Sequence, residues 1–377
     1  MEKIKKLIDY GQSYWLDNLS REMIRNGELR RRVEKEGLRG ITSNPAIFNN
    51  AISNSNAYDE QIHELFAAGK SVEEIYEVLA VQDVQDACDL MRPVFDESDG
   101  LDGFVSLEVS PHLANDTEGT IAEGHRLYQA VNRPNLMIKV PGTEAGVPAI
   151  EQLLFDGVNV NVTLLFAIDS YNAVAKAYLR ALKRRFDAGK PVNKIRSVAS
   201  FFLSRIDVLV DKQLETIVNS AENAKKSHKA QQLMGKVAIA SAKLAYQDFK
   251  KIFSGSDWLE LVEKGAAVQR PLWASTSTKN PEYRDVMYVE PLIGPDTVNT
   301  LPEQTIEAFA DHGELVANTI EDGITEARQA LEDLAEVGID LEKVTDQLVE
   351  EGIQKFVDPF VTLLNSIREE TAKVQMQ

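Results

Sequence analysis

Short apolar runs alternate along this chain with longer stretches whose apolar residues recur every three or four positions. The runs are Tyr14–Asp17 (YWLD), Gly40–Ser43 (GITS), Phe104–Val109 (FVSLEV), Leu136–Val140 (LMIKV), Val160–Phe166 (VNVTLLF), Arg196–Phe202 (RSVASFF), Pro271–Ser275 (PLWAS) and Val286–Leu292 (VMYVEPL). Their length, and the Gly, Pro and Asn residues that bound them, predict strands rather than helices. Near-continuous apolarity belongs to parallel strands buried on both faces. The intervening stretches, such as TIAEGHRLYQAV and DSYNAVAKAYLRALKRRFDAG, carry the helical period. Repetition of strand then helix predicts a parallel sheet with right-handed crossovers. Eight such units predict an α/β fold of the (β/α)8 TIM-barrel type.

Three stretches exceed the minimal barrel. Residues 47–92 and 206–267 read as helical insertions, the second long enough for more than one helix. Residues 341–370 read as one long terminal helix. No Gly/Ser-rich linker interrupts the pattern, so the chain is expected to form a single domain over residues 1–377.

The net charge of −18 opposes contact with nucleic acid, whose phosphates an acidic surface repels. An anionic small substrate would need a local cluster of cations. The single cysteine, Cys88, lies in a helical pattern and is expected to be a buried thiol. No apolar run approaches the ~18 residues of a membrane span. The opening MEKIKKLIDYGQSYWLD lacks the apolar centre of a secretory signal, so a cytosolic protein is expected.

Within this frame one residue is out of place: Lys139, inside Leu-Met-Ile-Lys-Val. Met137 and Lys139 share one strand face, and Leu136, Ile138 and Val140 share the other, which meets the helices. Lys139 therefore points into the barrel near its top. A gatekeeper lysine would need an edge strand, and a closed barrel has none. A low-dielectric wall favours the neutral amine, the form that attacks ketones to give a Schiff base. In a barrel, catalytic groups sit at the C-terminal strand ends. Those ends hold Asp17, Ser43 with Asn44, Glu108, Asn161 with Thr163, Ser200 and Ser275. Schiff-base chemistry needs proton traffic, and Asp17 and Glu108 are the inward carboxyls that could divide it. Asp17 reads equally as the N-cap of the helix near LSREMIR, and Glu108 as part of an exposed strand face. The histidines show no ligand spacing such as HxxxH.

GITSNPAIF, VSLEVSP, LMIKVPGT, VNVNVTLLF and RSVASFFLSRID, in this order, resemble the transaldolase family, most of all its longer bacterial form. The resemblance implies a transferase of the pentose phosphate pathway with no metal or organic cofactor. It moves a dihydroxyacetone unit from sedoheptulose 7-phosphate to glyceraldehyde 3-phosphate. It further implies that Lys139 is the Schiff-base lysine and Asp17 the acid/base at the C4 hydroxyl. Glu108 would act through a water that Thr163 helps to hold. Asn44, Asn161 and Ser200 would bind the dihydroxyacetone part, and Arg205 the phosphate. Ser275 stands where the family places a phosphate-contacting serine. The next cation, often arginine, is here Lys279, with Arg284 as a further contributor. Two other readings stay open: a fructose 6-phosphate aldolase on the same scaffold, and a non-catalytic sugar-phosphate-binding barrel. Such aldolases typically carry Gln in place of Glu108 and Tyr in place of Phe202, so both residues here favour transfer.

Overall fold

Eight parallel strands close into a barrel in the computed structural model, each hydrogen-bonded to the next in sequence and the last to the first. The structure describes residues 2–220 and 223–375. Within the expected single domain, Met1, Ala221, Glu222, Met376 and Gln377 lie outside the described residues. The strands are β1 (Gln12–Leu16), β2 (Gly40–Ile41), β3 (Phe104–Glu108), β4 (Leu136–Pro141), β5 (Val160–Leu165), β6 (Ser197–Phe202), β7 (Arg270–Ala274) and β8 (Thr297–Leu301).

The first seven fall where the apolar runs place them. The eighth does not. Val286, Tyr288, Val289 and Leu292 are buried, yet the segment forms turns and a short 3-10 helix over Glu290–Leu292. Pro291 has no N–H to give to a ladder. The real β8, Thr297-Val-Asn-Thr-Leu, has too little apolar character to be found by pattern. Its polar residues look to partners distant in sequence: Asn299 Nδ2 donates to the Tyr288 carbonyl at 3.1 Å while its Oδ1 is buried without a partner, and Thr300 Oγ1 stands 2.8 Å from Thr42 Oγ1.

Strand alternation fills the lumen in layers. Trp15 takes much of the lower space because Gly40 leaves room beside it; a Cβ at Gly40 would come within 2.3 Å of the indole. At the N-terminal end, Asp102 receives Arg39 at 3.0 Å and Arg270 at 2.9 Å. This network ties β7 to the segments leading into β2 and β3, at the face where a barrel carries stability rather than chemistry.

The insertions are helical, as their composition requires. Over residues 47–92 the main helices are Pro45–Ser53, Asp59–Ala67 and Val72–Glu97. Over the described residues of 206–267 there are four more, Ser204–Ser220, Ala224–Leu233, Val237–Ile252 and Ser256–Val262, the last three joined by short turns. Cys88 is buried in the Val72–Glu97 helix, and burial pushes its thiol far above the usual range. The C-terminal helix runs from Leu341 to Gln375 and packs against the helices Pro45–Ser53, Asp59–Ala67, Val72–Glu97 and Ser204–Ser220 and against β5. It thereby crosses the C-terminal mouth of the barrel. Among the described residues, no helix is long and apolar enough to cross a membrane.

Candidate active site

Strand register assembles the centre. Glu108 of β3 pairs with Lys139 of β4, and Lys139 pairs with Asn161 of β5. Paired residues of parallel neighbours face the same side, so all three enter the lumen in one layer. Thr163, two residues further along β5, stands one layer higher.

Lys139 is 4% exposed. Its Nζ lies 3.1 Å from Glu108 Oε2 and donates to the Ser43 carbonyl at 3.2 Å. Neither Glu108 oxygen has an aligned hydrogen-bond donor, so the pair is held by charge proximity. Burial pushes the Glu108 carboxyl up, and the Lys139 ammonium opposes that rise. A carboxyl so placed can take the proton that the ammonium must lose to become a nucleophile.

Asp17 follows β1 directly. Its backbone N–H donates to the Leu301 carbonyl at 2.9 Å, which continues the ladder by one residue. The helix-cap alternative is settled by its neighbour: Ser20 Oγ accepts from the Met23 N–H at 3.1 Å and caps Arg21–Arg25. The Asp17 carboxylate instead accepts from Thr42 Oγ1 at 2.8 Å, with Thr300 behind it. Pattern reading missed Thr42 and Thr300. Thr42 lies inside the GITS run, whereas Thr300 was hidden with β8.

Asn161 is fully buried. Ser200 Oγ donates to its Oδ1 at 2.7 Å, and its Nδ2 donates to Ser106 Oγ at 3.0 Å. This chain forms the floor beneath Lys139 and Ser200. Asn44 caps the Pro45–Ser53 helix by accepting from the Ile47 N–H at 3.0 Å, which leaves its NH2 for a ligand. Thr163 Oγ1 is buried without a partner. An orphan hydroxyl there is a natural seat for a water or substrate oxygen. The strand above it is irregular: β5 carries a bulge between Val162 and Leu165, with Leu164 at φ +60°.

The outer end of the site is cationic. Arg205, in the first turn of Ser204–Ser220, stacks over Phe202 with its Cζ 5.2 Å from the ring centroid. Its Nη1 is buried without a partner. Burial pulls its pKa down. Lys279 Nζ donates to Ser277 Oγ at 2.7 Å, and burial, then the Arg205 charge, lower its pKa. A half-buried guanidinium and an exposed ammonium that line one cavity can receive an anion together. Ser275 directly follows β7 at φ +54°, with its Oγ 2.8 Å from Ser204 Oγ. Arg284 does not join them: it pairs with Glu290 at 2.7 Å on the surface.

One cavity of about 200 Å³ joins these groups. Its walls include Asp17, Asn44, Lys139, Thr163, Ser200, Phe202, Arg205, Ser275 and Lys279. Glu108 and Asn161 stand just behind that surface, against Lys139 and Ser200 respectively. Phe356, from the C-terminal helix, completes the enclosure and carries no signal in the linear sequence.

Residues 14–367 match the model of the family described as transaldolase/fructose-6-phosphate aldolase. The chain belongs to that family. Among curated members it is 53% identical to transaldolase 2 of Nostoc sp. over 95% of each chain. It is 50% identical to the transaldolase of Trichodesmium erythraeum over 97% of this chain and 96% of that one. The transaldolase of Thermobifida fusca is 43% identical over 98% of both. The match takes in the barrel from Tyr14 of β1 onward and the C-terminal helix as far as Ile367, and every residue that lines the cavity lies inside it.

Proposed function

We propose that this chain is a transaldolase in which Lys139 carries the substrate as a Schiff base. The observation that supports it best is a buried lysine at the barrel mouth, 3.1 Å from the Glu108 carboxylate, that lines one cavity with Asp17 and the cations Arg205 and Lys279. The Lys139 amine, freed of its proton by Glu108, attacks C2 of a ketose phosphate. The carbinolamine loses water as Glu108 returns a proton, and an iminium remains. Asp17 takes the proton of the C4 hydroxyl, the C3–C4 bond breaks, and its electron pair flows into the iminium to give an enamine. The aldose phosphate leaves. An acceptor aldose phosphate enters, and the same steps run backwards.

Thr163 and Glu108 hold the water of the dehydration steps. Asn44 and Ser200, the latter fixed by Asn161, bind the dihydroxyacetone hydroxyls. Phe202 lines the wall with no hydroxyl to order a protonating water. Arg205, Ser275 and Lys279 bind the phosphate, Arg205 with a planar fork suited to paired hydrogen bonds and Lys279 as a point charge. The substrates are phosphorylated sugars of the pentose phosphate pathway, the donor being sedoheptulose 7-phosphate or fructose 6-phosphate, and the protein works in the cytosol.

Incubation with fructose 6-phosphate and erythrose 4-phosphate tests the reading. Sedoheptulose 7-phosphate should form, with little free dihydroxyacetone when the acceptor is left out. Rapid release of dihydroxyacetone without acceptor would assign the chain to aldolase chemistry instead. No turnover and no adduct would leave a binding barrel.

A further inference from the structure

The C-terminal helix is placed over the active site by contacts on both sides of it. Gly352 presses against the β5 bulge: a Cβ at this position would come within 3.0 Å of Leu164 and 3.7 Å of Arg205 Nη1. Two turns later, Phe360 meets Tyr76 at 5.4 Å and His112 at 5.8 Å, edge to face. Between these anchors, Phe356 points down into the cavity and is 4% exposed. Its ring centroid lies 5.3 Å from Lys139 Nζ and 6.0 Å from Arg205 Cζ. It is the group that stands over the reactive nitrogen from outside the barrel wall.

We propose that Phe356 is a specificity-determining residue that shields the covalent intermediate and directs it to transfer rather than to loss into water. The inference rests on the reading of Lys139 as the Schiff-base lysine. After the aldose leaves, Lys139 carries a dihydroxyacetone enamine that must wait for an acceptor. Loss takes two steps. A proton adds to the enamine carbon and restores the iminium. Water then adds to C2 and the C–N bond breaks, giving free dihydroxyacetone and the Lys139 ammonium. Phe356 has no group that moves a proton, so its effect on these steps is physical. Its ring excludes water from the nitrogen side of the intermediate. Its π face also favours the cationic iminium while the ketose is bound.

The helix that carries Phe356 packs on β5 and on Ser204–Ser220, the elements that hold Thr163 and Arg205. Shielding is therefore built on the same frame as the phosphate site.

The test compares Phe356→Ala and Phe356→Leu with the wild type. Each enzyme receives fructose 6-phosphate, and free dihydroxyacetone release without acceptor is divided by the transfer rate with erythrose 4-phosphate. Opening the roof by removing a ring should raise this ratio roughly tenfold or more in Phe356→Ala, while leucine, which still fills the space, should stay near the wild-type ratio. Borohydride trapping on the same samples reads the adduct independently. An adduct that forms normally with an unchanged ratio overturns the proposal and leaves the Schiff-base reading intact. Absence of adduct in the wild type fails that reading itself. Should Phe356→Ala fold poorly, Phe356→Val, smaller than leucine, serves in its place: its ratio should rise above that of Phe356→Leu, and a ratio equal to it overturns the proposal.

Discussion

Replacing Arg205 by methionine should make the empty protein more stable and its hold on phosphorylated sugars much weaker. The side chain is half-buried, its Nη1 is shut off from water without a hydrogen-bond partner, and burial already pulls its pKa down. An unsatisfied buried polar group costs about 1–3 kcal/mol, and a charged one more. Methionine keeps the apolar stem that lies on Phe202 and removes the charge. Unfolding free energy should rise by about 1–2 kcal/mol once lost stacking is subtracted. The functional cost has the opposite sign. A charge-assisted contact to phosphate is worth about 1.5–3 kcal/mol, so KM for fructose 6-phosphate should rise roughly 10- to 150-fold. The phosphate is distant from the bonds that break and is held alike in ground and transition states. Its loss should therefore appear in KM with kcat nearly kept. Thermal unfolding with and without inorganic phosphate reads both effects in one assay: the wild type should gain stability from the anion and the variant should not. A variant less stable than the wild type, with an unchanged KM, would refute the reasoning at both ends.

Two further outcomes are expected. Asp17→Ala should still form an imine but cleave it poorly, so the six-carbon adduct accumulates, whereas Glu108→Gln should slow imine formation itself. Each loss is about 10²–10⁴-fold, and rapid-quench trapping with mass analysis separates the adducts; a three-carbon adduct at normal rate in Asp17→Ala would remove Asp17 from cleavage. Asp207, which accepts from Tyr288 and from the Ala238 N–H, is pushed up to about 7 by burial. The fold therefore binds its proton more tightly than the unfolded chain does. This contribution is full below the ordinary carboxyl range and is lost as pH rises through about 7, so the wild type should lose about 2–3 kcal/mol between pH 5 and pH 8 that Asp207→Asn does not lose. Urea unfolding at both pH values checks this, and equal losses in the two proteins would count against it.

The parts of this molecule that pattern reading reaches are those where one local rule decides. Strands buried on both faces are apolar throughout, so seven of eight were visible. Lys139 was conspicuous because it breaks such a run. The register that sets Glu108 and Asn161 beside it follows from barrel closure. The parts that stayed hidden depend on partners distant in sequence. β8 carries polar residues whose partners, such as Thr42 for Thr300, are distant in sequence, so it looks like a loop, while the largely apolar Val286–Leu292 looks like a strand and is not one. Asp17 reads as a helix cap until geometry shows that Ser20 makes that bond. Arg284 and Lys279 are both cations in one loop, and only folding sends one into the cavity and the other to Glu290. Phe356 sits in an ordinary amphipathic helix, and nothing local distinguishes it from its core neighbours.

The central claim is that Lys139 Nζ bonds covalently to the substrate. Borohydride reduction in the presence of fructose 6-phosphate, followed by peptide mass mapping, tests it most directly. A reduced dihydroxyacetone adduct is expected on the peptide containing Lys139, with loss of both adduct and transfer in Lys139→Ala. An adduct on a different lysine, or full transfer activity in Lys139→Ala, would contradict it.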